Sequence, residues 1–443
     1  MNFVKEGQYR SLLVITTSGG GGHLQAANAK ILDEQLKNPA VKITKHDVLA
    51  NAGGKWFGYF MINYIWDKTQ RRGGVRALEL FASAVPIFDI FFWIPVFFQI
   101  LYKLFKYDID HVVDTQPLCL PSITTAVRAY AFCKKKHLFI EKILTELPTG
   151  YATHYLKPIK RLGPKNRRLV HLITTKPLLA DNQTAENFWQ TYCGLSAHVV
   201  SYQDFPIRPH FKKYQKKQKT NEPLTLLIKL KTPHEKLLLT EILGKGTTKF
   251  SFQDHSLVLT IQPNNKVTTL MLGSQSVQEA SLHYVRNFID VIKEDHSRST
   301  HHFFFVFCSH KQVDEIPLQE QIHRLIMDTT SYPSNLTIIP MSSQGDDVIA
   351  PLYFRSDATL TKAGGVTAME LMAVAKGKIW IHHEEKMSPL EKFFVNHALF
   401  AINSYKGMPK WEYGNATYLE EMKGAQMITP ETFSKASRSY LCS

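Results

Sequence analysis

The sequence predicts an α/β protein built from two doubly wound domains in tandem, each with a largely parallel sheet. Three observations carry that expectation. Short β-branched or aromatic runs recur along the 443 residues and alternate with stretches of helical spacing. Two of these runs deliver glycines to the start of a helix, in "SGGGGHLQAANAK" (18–30) and "TKAGGVTAMELMAV" (361–374). The chain is also longer than one core usually holds, so two domains of roughly 200 residues each are expected.

Taken in order, "SLLVITT" (11–17) is a strand, the glycines form a turn, and Leu24, Ala27, Ile31 and Leu36 stand at helical spacing after it. "KITKHDVL" (42–49) is the next strand. The run "VPIFDIFFWIPVFFQILYKLFKY" (85–107) approaches the roughly 20 residues of a membrane-spanning helix. Asp89, Pro95, Gln99 and Lys103 interrupt it, so it reads as one or two very apolar helices, buried or lying in a membrane interface. "DHVVDTQP" (110–117), "KILTELPT" (142–149), "RLVHLITT" (168–175) and "AHVVSY" (197–202) complete a first domain over 1–210. The heavily basic stretch 211–223 reads as a linker. A second domain, 224–443, opens on an irregular β portion (224–265). It continues with "VTTLMLGSQS" (267–276), "HFFFVFCSH" (302–310), "LTIIPMSS" (336–343), "DATLTKAGG" (357–365) and "KIWIHH" (378–383).

Lys and Arg total 53 against 38 for Asp and Glu, a formal charge of +15, which calls for an anionic partner: a phosphate-bearing ligand, an anionic membrane surface or nucleic acid. No aromatic-basic RNA or DNA motif accompanies the charge, so nucleic acid is not expected. The basic runs "CKKKH" (133–137), "PKNRR" (164–168) and 212–219 flank one aromatic-rich domain, which favours an anionic membrane surface. Five scattered cysteines form no CxxC pair, and the N-terminus lacks the apolar region of a secretory signal; a reducing, cytoplasmic location is expected. "YDIDH" (107–111) holds an Asp-x-Asp at the start of a strand, the wrong edge for catalysis, so no metal is assigned to it.

Open α/β sheets bind ligands outside the carboxyl ends of their strands, which selects candidates directly. In the first domain these are Gly21, Gly22 and His23, then Asp114, then Thr145, Glu146 and Thr149. In the second they are Gly273, Ser274 and Gln275, then Met341, then Lys362, Gly364, Gly365, Val366 and Thr367, then Glu384 and Glu385. "TKAGG" is the sharper glycine motif: a strand brings Gly364 and Gly365 to a helix start, where unpaired amides and the positive dipole end suit a diphosphate. Neither glycine loop fits the phosphate-cradling pattern ending in Gly-Lys-Ser/Thr, nor GxGxxG. Thr367-x-x-Glu370 also fits a capping box, in which the carboxylate would only satisfy a backbone amide.

Together these motifs resemble the two-domain GT-B glycosyltransferases of family 28, which include lipid galactosyl- and glucosyltransferases and the peptidoglycan N-acetylglucosaminyltransferase. "SGGGGHLQAA" is similar to their first-domain glycine loop with its histidine, "ILTELPT" to a segment with Asp in place of Glu146, and "DFPIRPHF" (204–211) to the segment closing their first domain. "LGSQSVQEAS" (272–281) and "TLTKAGGVTAMEL" (359–371) resemble their second-domain loops, the last being the most specific. The resemblance implies two Rossmann-like domains facing a central cleft, with a UDP-sugar donor in the second and no required cofactor. Gly364, Gly365, Val366 and Thr367 would then lie near the diphosphate, Glu370 on the ribose hydroxyls and the Met341 backbone near the base. Gly273, Ser274 and Gln275 would face the phosphates and sugar, and Glu384 and Glu385 would resemble a Gln-Glu pair of the lipid galactosyltransferases. The acceptor would dock near His23, with 56–107 facing lipid.

The activity so implied is inverting, metal-independent transfer of a hexose or N-acetylhexosamine to a lipid hydroxyl, the helix amides carrying the leaving diphosphate's charge. A base takes the acceptor's proton. His23 is the first choice, because neutral imidazole accepts a proton at cellular pH, with Asp114 and Glu146 as alternatives or as its orienting group. Departures from the family stand at "HHEEKMSPLEKFFVN" (382–396), which lacks the paired glutamines of the peptidoglycan enzyme, and at Leu272 and Ser276, where glycines are usual. A UDP-sugar 2-epimerase-like isomerase and a catalytically silent nucleotide-sugar or membrane binder are the alternatives.

Overall fold

Two six-stranded parallel sheets organise the chain. The structure, a computed structural model, describes residues 9–18, 21–52, 75–204, 207–218, 221–246, 248–273, 277–294, 300–308, 316–383 and 407–441. The first domain runs β1 (Ser11–Thr16), α1 (Gly21–Lys37), β2 (Lys42–Asp47), α2 (Val48–Ala52), α3 (Val75–Ser83), α4 (Val85–Phe91), α5 (Trp93–Lys106) and β3 (His111–Asp114). It continues with α6 (Leu120–Lys134), β4 (Ile140–Ile143), α7 (Thr153–Arg161), α8 (Pro164–Arg167), β5 (Val170–Thr174), α9 (Ala185–Cys193) and β6 (Val200–Tyr202). Its strand order is β2-β1-β3-β4-β5-β6, every pairing parallel.

After α10 (Pro209–Gln215), the second domain opens on β7 (Leu224–Lys229), α11 (Pro233–Gly244), β8 (Phe250–Gln253) and β9 (Ser256–Ile261). These strands form a separate antiparallel sheet, β7-β9-β8, which accounts for the irregular alternation of 224–265. The main sheet follows with β10 (Lys266–Met271), α12 (Gln278–Glu294), β11 (His302–Phe307), α13 (Leu318–Met327), β12 (Leu336–Met341), α14 (Asp346–Arg355) and β13 (Ala358–Thr361). It closes with α15 (Gly365–Val374), β14 (Lys378–His382), α16 (Lys410–Lys423), β15 (Gln426–Ile428) and α17 (Pro430–Leu441). Its order, β12-β11-β10-β13-β14-β15, is the 3-2-1-4-5-6 arrangement of a dinucleotide-binding sheet. Two Rossmann-like doubly wound domains are thus present, as the sequence predicted.

The central strands are apolar on both faces because helices cover both sides of a parallel sheet. β1, β11 and β12 are buried at every position, and Phe304 of β11 stacks on Phe288 of α12 at 4.3 Å between ring centres. The apolar run 85–107 forms two helices, bent by 67° at Phe92. Among the described residues no single helix is long and apolar enough to cross a membrane. On α5, Val96, Ile100 and Leu104 recur at a spacing of four and are buried, packing the helix onto α6. The opposite face is open: Ile90 is 76% exposed, Phe91 75%, and Ile87, Ile94, Phe98 and Tyr102 are all exposed with them.

Two segments tie the domains together. Across the expected boundary between the first domain and the linker, Pro209–Gln215 is helical, and Phe211, with Ile207 just before the helix, is buried in the second domain's core. Pro209 at the first helical position and the aromatic rings at Phe211 and Tyr214 explain how a run so rich in lysine folds there: Tyr353 and Phe354 of α14 receive those rings. Near the other end, α16 returns to the first domain, where Gly414 lies so close to the 149–151 loop that a Cβ on it would stand 2.3 Å from Thr149 Oγ1.

Gly377, between α15 and β14, is similarly confined: a Cβ there would lie 2.3 Å and 2.4 Å from the carbonyl oxygens of Asp357 and Ser356. Backbone cannot yield as a flexible side chain does, so Gly377→Ala is expected to cost about 1–3 kcal/mol of stability. A circular-dichroism melt should show the midpoint falling by several degrees at roughly 2–4 °C per kcal/mol; an unchanged midpoint would contradict this packing.

Candidate active site at two facing sheet edges

Ligands in open sheets bind where the strand order reverses. In the first domain that point lies between β1 and β3, which end at the SGGGGH loop and at Asp114–Gln116. In the second it lies between β10 and β13, which end at Gly273 and at Lys362–Thr367. The two points face one another. A Cβ on Gly22, in the first turn of α1, would lie 3.5 Å from Val366 Cγ2, in the first turn of α15. A Cβ on Gly365 would lie 1.9 Å from the Thr145 carbonyl oxygen and 2.6 Å from Glu146 Oε2, so only glycine admits this approach. The first amides of α1 and α15 have no acceptor within their own helices, and the first turns of the two helices meet at this junction.

On the first-domain wall, His23 Nδ1 lies 3.0 Å from Thr145 Oγ1 and 2.5 Å from the Tyr155 hydroxyl, itself in contact with Thr145 Oγ1. Thr115 Oγ1 donates to the His23 carbonyl at 3.1 Å. Burial, reinforced by the nearby Lys142 cation and opposed by a hydrogen bond of the ring with the Thr115 backbone, lowers the His23 pKa to about 4. The ring is therefore neutral at neutral pH and able to accept a proton.

The other candidate bases stand differently. Asp114 is fully buried; Lys142 Nζ lies 2.7 Å from its Oδ2, and the Gln116 amide donates to its Oδ1 at 3.2 Å. Burial pushes its carboxyl up against the pull of Lys142. It makes no hydrogen bond to His23, and reaches it only through the Lys142 charge. Glu146 is buried at the domain junction, where Asn415 Nδ2 donates to its Oε2. Burial raises its pKa to about 8, with the Asn415 hydrogen bond opposing and Glu412 adding to the shift, so at pH 7 it is mostly a neutral acid.

On the second-domain wall, α15 begins with Gly364 as its N-cap. The helix thus starts one turn before Thr367, and the Thr367-x-x-Glu370 capping box does not form. Glu370 instead makes a two-pronged ion pair with Arg208, at 2.6 Å and 2.9 Å, and Arg208 also reaches Asp346 Oδ1 at 2.6 Å. Burial raises the Glu370 carboxyl and the Arg208 pair opposes that. Gly273 holds φ = +83°, a conformation that favours glycine, with no heavy atom within 4 Å of where its Cβ would stand. Met341 ends β12, fully buried, its carbonyl accepting from the Cys308 amide at 2.7 Å. Lys362 lies near Glu412, whose buried carboxyl is raised; the Lys362 charge opposes that shift. Val366 is buried and Thr367 half-buried in the first turn of α15. Ser274, Gln275, Glu384 and Glu385 lie outside the described residues.

Four participants were given no role by the sequence reading: Tyr155, Asn415, Arg208 and Lys142. Arg208 stood in a quoted motif, "DFPIRPHF", without a partner to suggest its job; Tyr155 and Asn415 gave no local signal at all.

No family model matches the chain, and neither does any curated protein sequence. Among solved structures, it is similar to MurG of Acinetobacter baumannii, at 12% identity over 97% of this chain and 90% of that one, with a TM-score of 0.45. It is similar also to a UDP-GlcNAc 2-epimerase from Neisseria meningitidis bound to UDP-GlcNAc (12% identity; 97% and 99%; TM-score 0.39) and to the spinosyn rhamnosyltransferase SpnG (9%; 98% and 89%; 0.43).

The Glu146 environment sets a pH dependence. An unfolded glutamate releases its proton near pH 4.5 whereas the folded one holds it to about pH 8, so between those values the folded state binds more protons and stability falls as pH rises. Glu146→Gln removes the titration. Urea unfolding of both proteins at pH 5 and pH 9 should show the variant gaining stability relative to the parent at pH 9; an equal difference at both pH values would refute the raised pKa.

Proposed function

We propose that this protein is an inverting glycosyltransferase of the GT-B class, resembling family 28. It would move a hexose or N-acetylhexosamine from a UDP-sugar to a hydroxyl of a diacylglycerol-like lipid, without a metal, at a membrane surface. The observation that carries the reading is the meeting of the first turn of α1, which holds a neutral His23, with the first turn of α15. His23 takes the acceptor's proton while the oxygen attacks the anomeric carbon. The departing diphosphate is met by the amides of Gly365, Val366 and Thr367 and by the Lys362 cation. The Arg208 pair takes two of the four lone-pair sites of Glu370, and the other two would serve ribose hydroxyls as the cleft admits a donor.

The lipid acceptor and a peripheral location on a cytoplasmic membrane face are supported by the α4–α5 surface. Ile87, Ile90, Phe91, Ile94 and Phe98 form a contiguous apolar run on it, and Lys103 and Lys106 lie beside it on α5. Lys134 stands over the Phe105 ring at 5.9 Å, and Arg161 acts on the buried Asp89 of α4. Apolar side chains rimmed by cations suit insertion into an anionic bilayer surface.

Two measurements test the reading. With a panel of UDP-sugars and membrane lipid extract, the protein should release UDP, and His23→Ala should slow release about 10²–10⁴-fold while UDP affinity stays unchanged. The acid limb of kcat/KM should lie near pH 4 rather than near 6.5, because only the neutral ring accepts a proton and its pKa is lowered to about 4. Release from no donor would leave a silent binder, and conversion of the sugar without an acceptor would leave the 2-epimerase-like alternative. Independently, the protein should float with phosphatidylglycerol-containing vesicles, and Phe91→Glu or high salt should abolish flotation. A protein that ignores such vesicles would lose the lipid-acceptor half of the proposal.

A further inference from the structure

We infer that Tyr155 and Thr145 act as positioning residues that hold His23 as its Nδ1–H tautomer, leaving the Nε2 lone pair as the only basic site of the ring. The inference rests on the reading of His23 as the base and deepens it.

The argument follows the protons through three buried oxygens. The Tyr155 hydroxyl donates to the Thr115 carbonyl oxygen at 3.0 Å. A carbonyl only accepts, so this bond commits the single phenol proton. Burial raises the Tyr155 pKa well above 10, so that proton remains in place throughout the neutral range. The phenol oxygen therefore has only lone pairs to offer its other two neighbours, Thr145 Oγ1 and His23 Nδ1. Thr145 has one proton, which goes to the phenol oxygen. Nδ1, 2.5 Å from one oxygen and 3.0 Å from the other, then meets no donor. Only an N–H at Nδ1 satisfies the set, and it supplies the proton that both oxygens lack.

Among the described residues both side-chain partners of the ring, Thr145 and Tyr155, lie at Nδ1, and Nε2 is not among the buried atoms left without a partner. In the transfer step Nε2 takes the acceptor's proton as the acceptor oxygen bonds to the anomeric carbon. The bond from that carbon to the diphosphate oxygen breaks, and its electron pair leaves with UDP. The resulting imidazolium carries protons on both nitrogens. Burial, with Lys142 over the Tyr155 ring at 5.6 Å as the second cause, keeps the His23 pKa low and so favours release of that second proton to solvent water. His154 lies against the Tyr155 ring at 4.9 Å between ring centres; its own pKa is lowered to about 3, so it adds no competing charge. The opposite tautomer would turn Nε2 into a donor and leave the base pointing at Tyr155.

The two oxygens are not equivalent, and that makes the inference testable without any turnover. In Thr145→Val the phenol oxygen remains an acceptor, so Nδ1–H persists. In Tyr155→Phe the Thr145 hydroxyl loses its acceptor and turns to donate to Nδ1, which moves the ring proton to Nε2. Long-range ¹H–¹⁵N spectra of the full chain labelled with ¹⁵N-histidine, with His23 assigned by difference against His23→Gln, report the tautomer directly. The expected result is Nδ1–H in the parent and in Thr145→Val, and Nε2–H or a mixture in Tyr155→Phe. UDP release in Tyr155→Phe should fall tenfold or more, with the donor KM unchanged. An Nε2–H parent, which needs no variant to fold, or an Nδ1–H ring in Tyr155→Phe, would overturn the inference. So would a shifted tautomer with full turnover. Normal turnover by His23→Ala would instead remove the base assignment and leave the tautomer result standing.

Discussion

Asn415 is the interaction on which the cleft depends. Its Oδ1 accepts from the Leu147 amide at 2.8 Å, and its Nδ2 donates to the Ala363 carbonyl at 2.8 Å and to Glu146. One buried side-chain amide, carried by the returning helix α16, thus joins the loop after β4 in the first domain to the loop after β13 in the second. A buried amide left without partners costs about 1–3 kcal/mol per group, so the three bonds favour one relative placement of the domains over its neighbours. That placement sets Gly365 against Thr145 and brings His23 beside the N-terminus of α15. Gly414, with no room for a Cβ against Thr149, lets α16 come close enough for Asn415 to reach.

Closing two sheet edges on one another removes water from titratable groups, and the effect is consistent across the cleft. Burial lowers the histidines and raises the carboxyls: His23 and His154 are lowered, Glu146 and Glu412 raised, each with burial as the largest cause. Where a cation is in contact, as Lys142 with Asp114 and Arg208 with Glu370, burial still raises the carboxyl and the cation opposes the rise. On the proposed reading, the fixed dipoles of the helix ends would compensate a diphosphate's charge without adding a mobile counter-ion.

The elements of both sheets were legible because a strand buried on both faces must be apolar throughout. "HFFFVF" and "LTIIPM" admit few other readings once glycine and polar residues bound them. The glycine loops were legible for a similar reason, since close backbone approach excludes side chains. What was hidden depends on contacts between residues far apart in sequence. Asn415 and Glu146 are separated by 269 positions, Arg208 and Glu370 by 162, and His23 and Tyr155 by 132. No local pattern encodes those pairs. The capping box at Thr367 shows the converse: a valid local motif is displaced because the helix begins one turn earlier, at Gly364, and it is Gly365 beside it that lets the first domain approach. In the basic run after residue 210, charge composition masked two aromatic anchors that tertiary packing uses.

The apolar face of α4–α5 and the candidate active site are linked through the interior of the first domain. Asp89, on the buried side of α4, accepts from the Cys119 amide, which caps α6 with Cys119 at φ = +55°. Arg161 and Lys142 both draw on the Asp89 carboxyl, and Lys142 in turn bonds Asp114 and acts on His23. The side of α4 opposite the exposed Ile87, Ile90 and Phe91 is therefore within electrostatic reach of the cation that governs the proposed base. On the proposed reading, an acceptor hydroxyl would come to His23 from the first domain and the donor from the second. The Asn415 junction, which bonds the loop after β4 to the loop after β13, would set where those two approaches meet.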